Sequence, residues 1–118
     1  MKAWVLRIRK TDKVIFDRIK NGEKTVETRP MNAPESSKYY GQMKTGDRLV
    51  ILCDGQRLEK FVKATRVYKD FEKYLDSEDL KNILGEGTTK ESARKVHYSF
   101  GRERLDKYGI IAIDMESR

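Results

Sequence analysis

Residues 22–29 read Gly22-Glu23-Lys24-Thr25-Val26-Glu27-Thr28-Arg29, and the organisation of the chain follows from what stands on either side of them. Asn21-Gly22 offers the left-handed residue on which helices commonly end, so the segment before it is read as a helix. The run after it, KTVETRP (24–30), reads as a short strand stopped by Pro30, which has no N–H to give a sheet ladder. Strand alternation puts Thr25, Glu27 and Arg29 on one face and Lys24, Val26 and Thr28 on the other. With Val26 in the core, Glu27 and Arg29 face a cleft or solvent. Lys24 joins them only if the chain is still turning as it passes that residue.

Upstream, residues 3–9 (AWVLRIR) alternate with Trp4, Leu6 and Ile8 on one side, the pattern of a half-buried strand. The helix between has Thr11 or Asp12 as a cap and Val14, Ile15 and Ile19 as an apolar stripe. Downstream, a polar loop over residues 31–47 leads through a Gly46-Asp47 turn into a buried strand, Arg48 to Cys53. Asp54-Gly55 turns the chain back into a second strand, Leu58 to Tyr68. Residues 70–84 read as one broken helix or two short ones, with Phe71, Leu75, Leu80, Ile83 and Leu84 inward, while Tyr68, Phe71 and Tyr74 pack helix on sheet. After Gly85-Glu86-Gly87, Thr88 and Glu91 form a capping-box pattern ahead of a helix whose stripe carries Ala93, Val96, His97 and Phe100. The closing strand, YGIIAIDM (108–115), sets Ile111 and Ile113 against Ile110 and Ala112.

The order β-α-β-β-β-α-α-β is neither a βαβ repeat nor all-β. An α+β fold follows, a small mixed sheet or open barrel with helices packed over its openings. No repeat or linker divides the 118 residues, so a single domain spans 1–118. Hydrophobic and charged residues are nearly balanced at 37% and 38%, and the apolar ones cluster periodically, which argues against disorder. No window approaches the roughly 18 apolar residues of a membrane span, and the run in MKAWVLRIRK is too short for a signal-peptide core. The one cysteine, Cys53, reads as a small core residue in VILC, and cytoplasm is the expected compartment. Neither a zinc ligand set nor a phosphate-cradling Gly-rich loop is present, so no metal or cofactor is expected. Lys and Arg number 26 against 19 acidic residues, a net +7 that favours phosphate-bearing partners and equally serves solubility.

Residues 22–29 resemble the G-x-K-x-x-E-x-R signature of ASCH domains. The Gly46-Asp47 turn, the Tyr68-x-x-Phe71 run and Tyr108-Gly109-Ile110 fall where that family has corresponding features, so the resemblance covers nearly the whole chain. It implies a PUA-like open barrel with a cleft between the barrel and the first helix, lined by the signature residues. The group is associated with RNA binding and RNA modification. One branch hydrolyses N4-acetylcytidine, and ribonuclease activity has been assigned to another member.

The chemistry of the signature suits a nucleotide ligand. Arg29 can pair bidentately with phosphate or a base edge, Lys24 supplies a point charge or a desolvated base, and Glu27 can accept from an exocyclic amine. The same three residues would also suit a plain ion pair on a solvated strand face. Tyr39, Tyr40 and Lys44 mix aromatics with charge as single-strand binders do, or pin a long loop to the barrel. On the last helix, Arg94 and Tyr98 are further binding candidates, Tyr98 because it points away from the apolar stripe. His97 is a candidate base for a ribonuclease or a packed histidine of that stripe. The resemblance also implies catalytic roles for Lys24 and Glu27 if the chain is an enzyme. Glu27 stands where the acetylcytidine hydrolases place a threonine nucleophile, Thr25 and Thr28 flank that position, and Glu86 is the nearest match to their distant glutamate. A carboxylate there removes the covalent route but leaves a Lys/Glu pair able to direct a water. RNA or a nucleotide is the expected partner.

Overall fold

The computed structural model describes residues 1–118. Five strands, β1 (Ala3–Arg7), β2 (Val26–Pro30), β3 (Arg48–Cys53), β4 (Gln56–Tyr68) and β5 (Ile110–Glu116), form one sheet in the order β1-β3-β4-β5-β2. β1 runs parallel to β3 and every other pairing is antiparallel. The sheet curls into a mixed half-barrel. The turn is built into β4, which pairs with β3 through Phe61 and with β5 from there onward, its register shifting between Val62 and Ala64. Such a shift bends a strand and sharpens its twist.

Two cores lie on opposite faces. On the concave face Trp4, Leu6, Leu49, Ile51, Val62, Ile111 and Ile113 pack with Phe16 and Ile19 of helix α1 (Lys13–Lys20). On the outer face Val26, Ile110 and Ala112 pack under helices α2 (Phe71–Ser77), α3 (Lys81–Leu84) and α4 (Lys90–Tyr108). The β5 alternation read from the sequence is the one observed. The helices do not simply cap barrel openings, however: α1 packs on the concave face and α2 to α4 cover the outer face of β5 and β2.

Several local expectations shift. The buried face of α1 is Phe16 and Ile19 flanked by Ile15, while Val14 is 66% exposed. Neither Thr11 nor Asp12 caps α1 with its side chain; the Asp12 carboxylate accepts from Arg9 Nε instead. The capping box on α4 is Thr89 with Ser92, one residue along from Thr88 and Glu91. β2 runs through Pro30, which an edge strand tolerates because its outer side needs no ladder donor. The loop over 31–47 is anchored by Met31 and Met43, both buried in the concave core. Gly109 has φ +87°, and a Cβ there would strike the Tyr68 carbonyl oxygen, so only glycine leads α4 into β5. No helix is long and apolar enough to cross a membrane.

Asp47 ties three segments together. Its buried carboxylate accepts from Trp4 Nε1 at 2.9 Å, Lys44 N at 3.0 Å and Lys2 N at 3.1 Å. Burial alone would raise its pKa, but these donors, the indole foremost, outweigh it and hold the carboxyl below its ordinary value. Asp47→Ala leaves three donors without an acceptor and is expected to cost about 3 kcal/mol of stability, read from urea unfolding at an unchanged m-value.

Candidate functional site

β1 and β2 are the two free edges of the sheet, and the half-barrel leaves a seam between them. A cavity of about 330 Å3 occupies the seam. Its walls are the end of β1 (Arg7 to Arg9), the start of α1 (Asp12, Ile15), β2, and the face of α4 carrying Val96, His97, Phe100 and Arg104. Arg29 spans the gap, its Nη2 donating to the Arg7 carbonyl at 3.1 Å.

The local fold brings Lys24 to this place. The chain leaves α1 through Gly22, and the Lys24 and Thr25 amides then donate to Arg18 O (2.9 Å) and Asn82 O (3.2 Å), before β2 begins at Val26. Lys24 is therefore outside the strand and free of its alternation, which answers the question the sequence left open. Its Nζ donates to Ile83 O at 2.7 Å and lies 3.5 Å from Glu27 Oε1. Arg29 Nη2 is 3.5 Å from Glu27 Oε2, and the Thr28 amide donates to Oε1 at 2.9 Å. Lys24 and Glu27 are only 6% and 5% exposed, so this is a buried pair and not a solvated strand face.

Burial acts first on both groups. It lowers the Lys24 pKa, with the Glu27 charge opposing. For Glu27 burial pushes upward, but Lys24 and Arg29 together prevail and hold the carboxyl below its usual value. Thr28 N and Arg29 Nη2 donate to the Glu27 carboxylate, which can accept about four hydrogen bonds. The site thus keeps acceptor capacity at Glu27 and donor capacity at Lys24.

His97 closes the floor. Its Nε2 is 2.9 Å from Tyr74 Oη and its ring meets Phe71 edge-on. Burial first, then the nearby Lys24 charge, push its pKa down to about 4, so the imidazole is neutral at neutral pH. It is both a packed histidine and a residue of the cleft.

Of the residues singled out from sequence, Lys24, Glu27, Arg29 and Tyr40 meet in the cleft. Tyr39, Lys44, Arg94 and Tyr98 do not line it. Lys44 is exposed, and its backbone serves the Asp47 turn. Arg94 is held bidentately by Glu72 on α2, at 2.7 and 3.1 Å. Tyr98 packs on Phe71 at 5.2 Å beneath Arg102, so pointing away from the stripe took it away from the cleft. Glu86 is exposed and is not among the lining residues, whereas Thr28 is. Arg7, Arg9, Phe100 and Arg104 were missed. Nothing local marks Arg7 and Arg9 as residues of an edge facing β2, because that adjacency exists only once the sheet has curled. No group of three or more His, Cys, Asp or Glu side chains is placed to hold a metal.

Fold and site together define a small α+β half-barrel protein with a polar cleft along its open seam. The chain is similar to the crystal structure of hypothetical protein PH0355, at 31% identity and a TM-score of 0.76 over 97% of each chain. It is also similar to the solution NMR structure of protein PF0455 from Pyrococcus furiosus, at 31% identity and a TM-score of 0.65 over 97% of this chain and 96% of that one. Neither a family model nor a curated protein matches the sequence. The chain belongs to one family with PH0355 and PF0455.

Glu27→Ala strands Lys24 as a buried, unpaired cation and is expected to cost about 3–5 kcal/mol, whereas the double variant Lys24→Met, Glu27→Leu recovers most of that loss; urea unfolding distinguishes them. For His97 the folded pKa lies below the unfolded 6.5, so the stability tied to its neutral form is complete above pH 6.5 and lost as pH falls towards 4. Unfolding at pH 7 and pH 4.5 should show wild type losing about 2–3 kcal/mol more than His97→Gln, with the imidazole proton titrating near 4 by NMR. Titration near 6.5 would refute the burial of this ring.

Proposed function

We propose that the chain is an ASCH-type, PUA-like domain that holds RNA or a nucleotide in the seam cleft. The observation that carries this reading is the convergence of Lys24, Glu27 and Arg29 in a cavity lined by five cations (Arg7, Arg9, Lys24, Arg29, Arg104) against two carboxylates (Asp12, Glu27). A concave site of one prevailing charge raises the local concentration of phosphate-bearing ligands. The spare acceptor positions on Glu27 suit an exocyclic amine of a base, and Arg29 suits a base edge or phosphate. A volume of about 330 Å3 is at the small end of ligand pockets and fits one nucleotide unit of a single strand. A cytoplasmic location is part of this proposal.

Titrating labelled single-stranded RNA at several salt concentrations tests the reading. The logarithm of the affinity is expected to fall linearly with log salt, and Arg29→Gln to weaken binding about tenfold to a hundredfold. Salt-insensitive binding, or none, would sink it.

A hydrolase acting on a modified nucleoside such as N4-acetylcytidine, or on RNA, is favoured by one observation: the Lys24 and Glu27 pair is dry enough to depress the lysine pKa while both groups reach the cleft. A lysine so tuned can take a proton from a water directed by the carboxylate. Mass spectrometry after incubation with N4-acetylcytidine and with single-stranded RNA decides it, since unaltered substrates would eliminate both activities.

A further inference from the structure

The chain has eleven arginines. Nine of them, Arg9, Arg18, Arg29, Arg48, Arg57, Arg66, Arg94, Arg102 and Arg118, have a carboxylate oxygen within 4.0 Å. The two without one are Arg7 and Arg104, from opposite ends of the sequence, and both line the seam cleft. In a protein that pairs its guanidiniums so consistently, the unpaired ones collect in one cavity.

No carboxylate neutralises either of them, and Arg104 is also held in place. Arg104 Nη2 donates to Pro30 O at 3.1 Å and to Met31 O at 3.5 Å, which holds it at the end of β2. Arg7 engages the same end of β2 from the other edge, through its own carbonyl and Arg29. The nearest cleft carboxylate on β2, Glu27, is already shared between Lys24 and Arg29. Like charges gathered in a partly enclosed cavity repel, and an anion seated among them relieves that repulsion. Beside them lies an apolar shelf. Phe100, 44% exposed, is the one aromatic side chain largely open to solvent, and Val96 next to it on α4 is 38% exposed. Arg9 lies over the Phe100 ring at 4.8 Å, but Asp12 neutralises it, so it adds a planar surface more than a free charge.

We propose that the cleft binds a nucleoside monophosphate unit, its phosphate held by Arg7 and Arg104 and its base resting on Phe100. This rests on the nucleotide reading above and sharpens it: the phosphate, and not the nucleoside alone, is required. A guanidinium pairs with phosphate through two parallel hydrogen bonds, and bases stack on aromatic faces. The phosphate can come from a free mononucleotide or from the phosphorylated end of an RNA.

Calorimetric titration of the full chain with the four nucleosides, their 5′-monophosphates, inorganic phosphate, and a short single-stranded RNA with and without a 5′-phosphate tests this. Monophosphates are expected to bind at least about tenfold more tightly than their nucleosides, since a charge-assisted bond contributes on that order. Arg7→Gln and Arg104→Gln should each erase most of that preference, and Arg104→Lys should restore part of it. Phe100→Ala should weaken nucleoside and monophosphate alike and leave their ratio unchanged. Arg57→Gln, which removes an exposed, carboxylate-paired arginine outside the cleft, should change nothing. Tighter binding of the free monophosphate, or of the 5′-phosphorylated RNA over its unphosphorylated form, names the source, and each is the expected preference. Equal binding of nucleosides and monophosphates with RNA binding intact would overturn this inference and leave the nucleotide reading standing. A chain that binds no nucleoside, nucleotide or RNA would overturn both. Far-UV circular dichroism and unfolding curves of each variant confirm that the comparison is between folded proteins.

Discussion

Strand β5 is buried on both faces, and both cores of the molecule are built on it. Ile111 and Ile113 point into the concave core while Ile110 and Ala112 point under the helices, all four fully shielded from water. A strand with two apolar faces must be covered twice, and this single requirement places α1 on one side and α2 to α4 on the other. It also fixes β2, which pairs with β5 residue for residue. In that register Glu27 stands opposite Ile113 and Arg29 opposite Ile111, so both share the concave side, while Val26 and Thr28 turn towards the helices. The polar cleft is thus a consequence of packing two cores against one strand.

Placing Glu27 beside a core would be costly if it were alone, since a buried carboxylate without partners loses several kcal/mol of hydration. The turn after α1 supplies the compensation. Lys24 reaches the carboxylate from outside the strand, anchored by the Ile83 carbonyl of α3, while Arg18 of α1 donates to Leu84 O next to it. The site therefore depends on the docking of α3 against α1. A different polar group, Arg66, performs a comparable task on the outer face, where it joins Glu78 after α2 to Asp114 on β5 through four hydrogen bonds of 2.6–2.9 Å. In that cluster the one guanidinium is held between two carboxylates and is turned to structure. The cleft is not matched: cations outnumber carboxylates five to two in its lining.

The seam explains why that surplus is tolerated. A closed barrel would have paired β1 with β2 by backbone hydrogen bonds and left no room for long side chains between them. Here one bond from Arg29 to the Arg7 carbonyl spans the edges, and the remaining space is a cavity walled by side chains from several separate elements. Edge strands that carry charge also resist pairing with a second chain, so the arginines at the seam serve the fold even without a ligand.

Alternation and turn chemistry are local properties, and they were legible. The five strands, the two faces of β5, the break between α2 and α3, and the placing of Glu27 and Arg29 on the face opposite Val26 follow from period-two patterns and from glycine, whose backbone needs no neighbour to be recognised. The residue types of Lys24, Glu27 and Arg29 likewise identified a polar site before any coordinates. An open, curled sheet was expected, but the extent of the curl was not legible, because it depends on a register shift within β4 that no single residue announces. Everything dependent on that curl was hidden with it: that β1 and β2 face each other, that Arg7 and Arg104 share a cavity, that His97 lines it while Tyr98 does not, and that Lys44 and Arg94 stand apart. Sequence alone determined which residues could do chemistry, because charge and hydrogen-bonding capacity belong to the side chain. Only the tertiary structure decided which of them meet, because proximity across a seam depends on how far a twisted sheet closes.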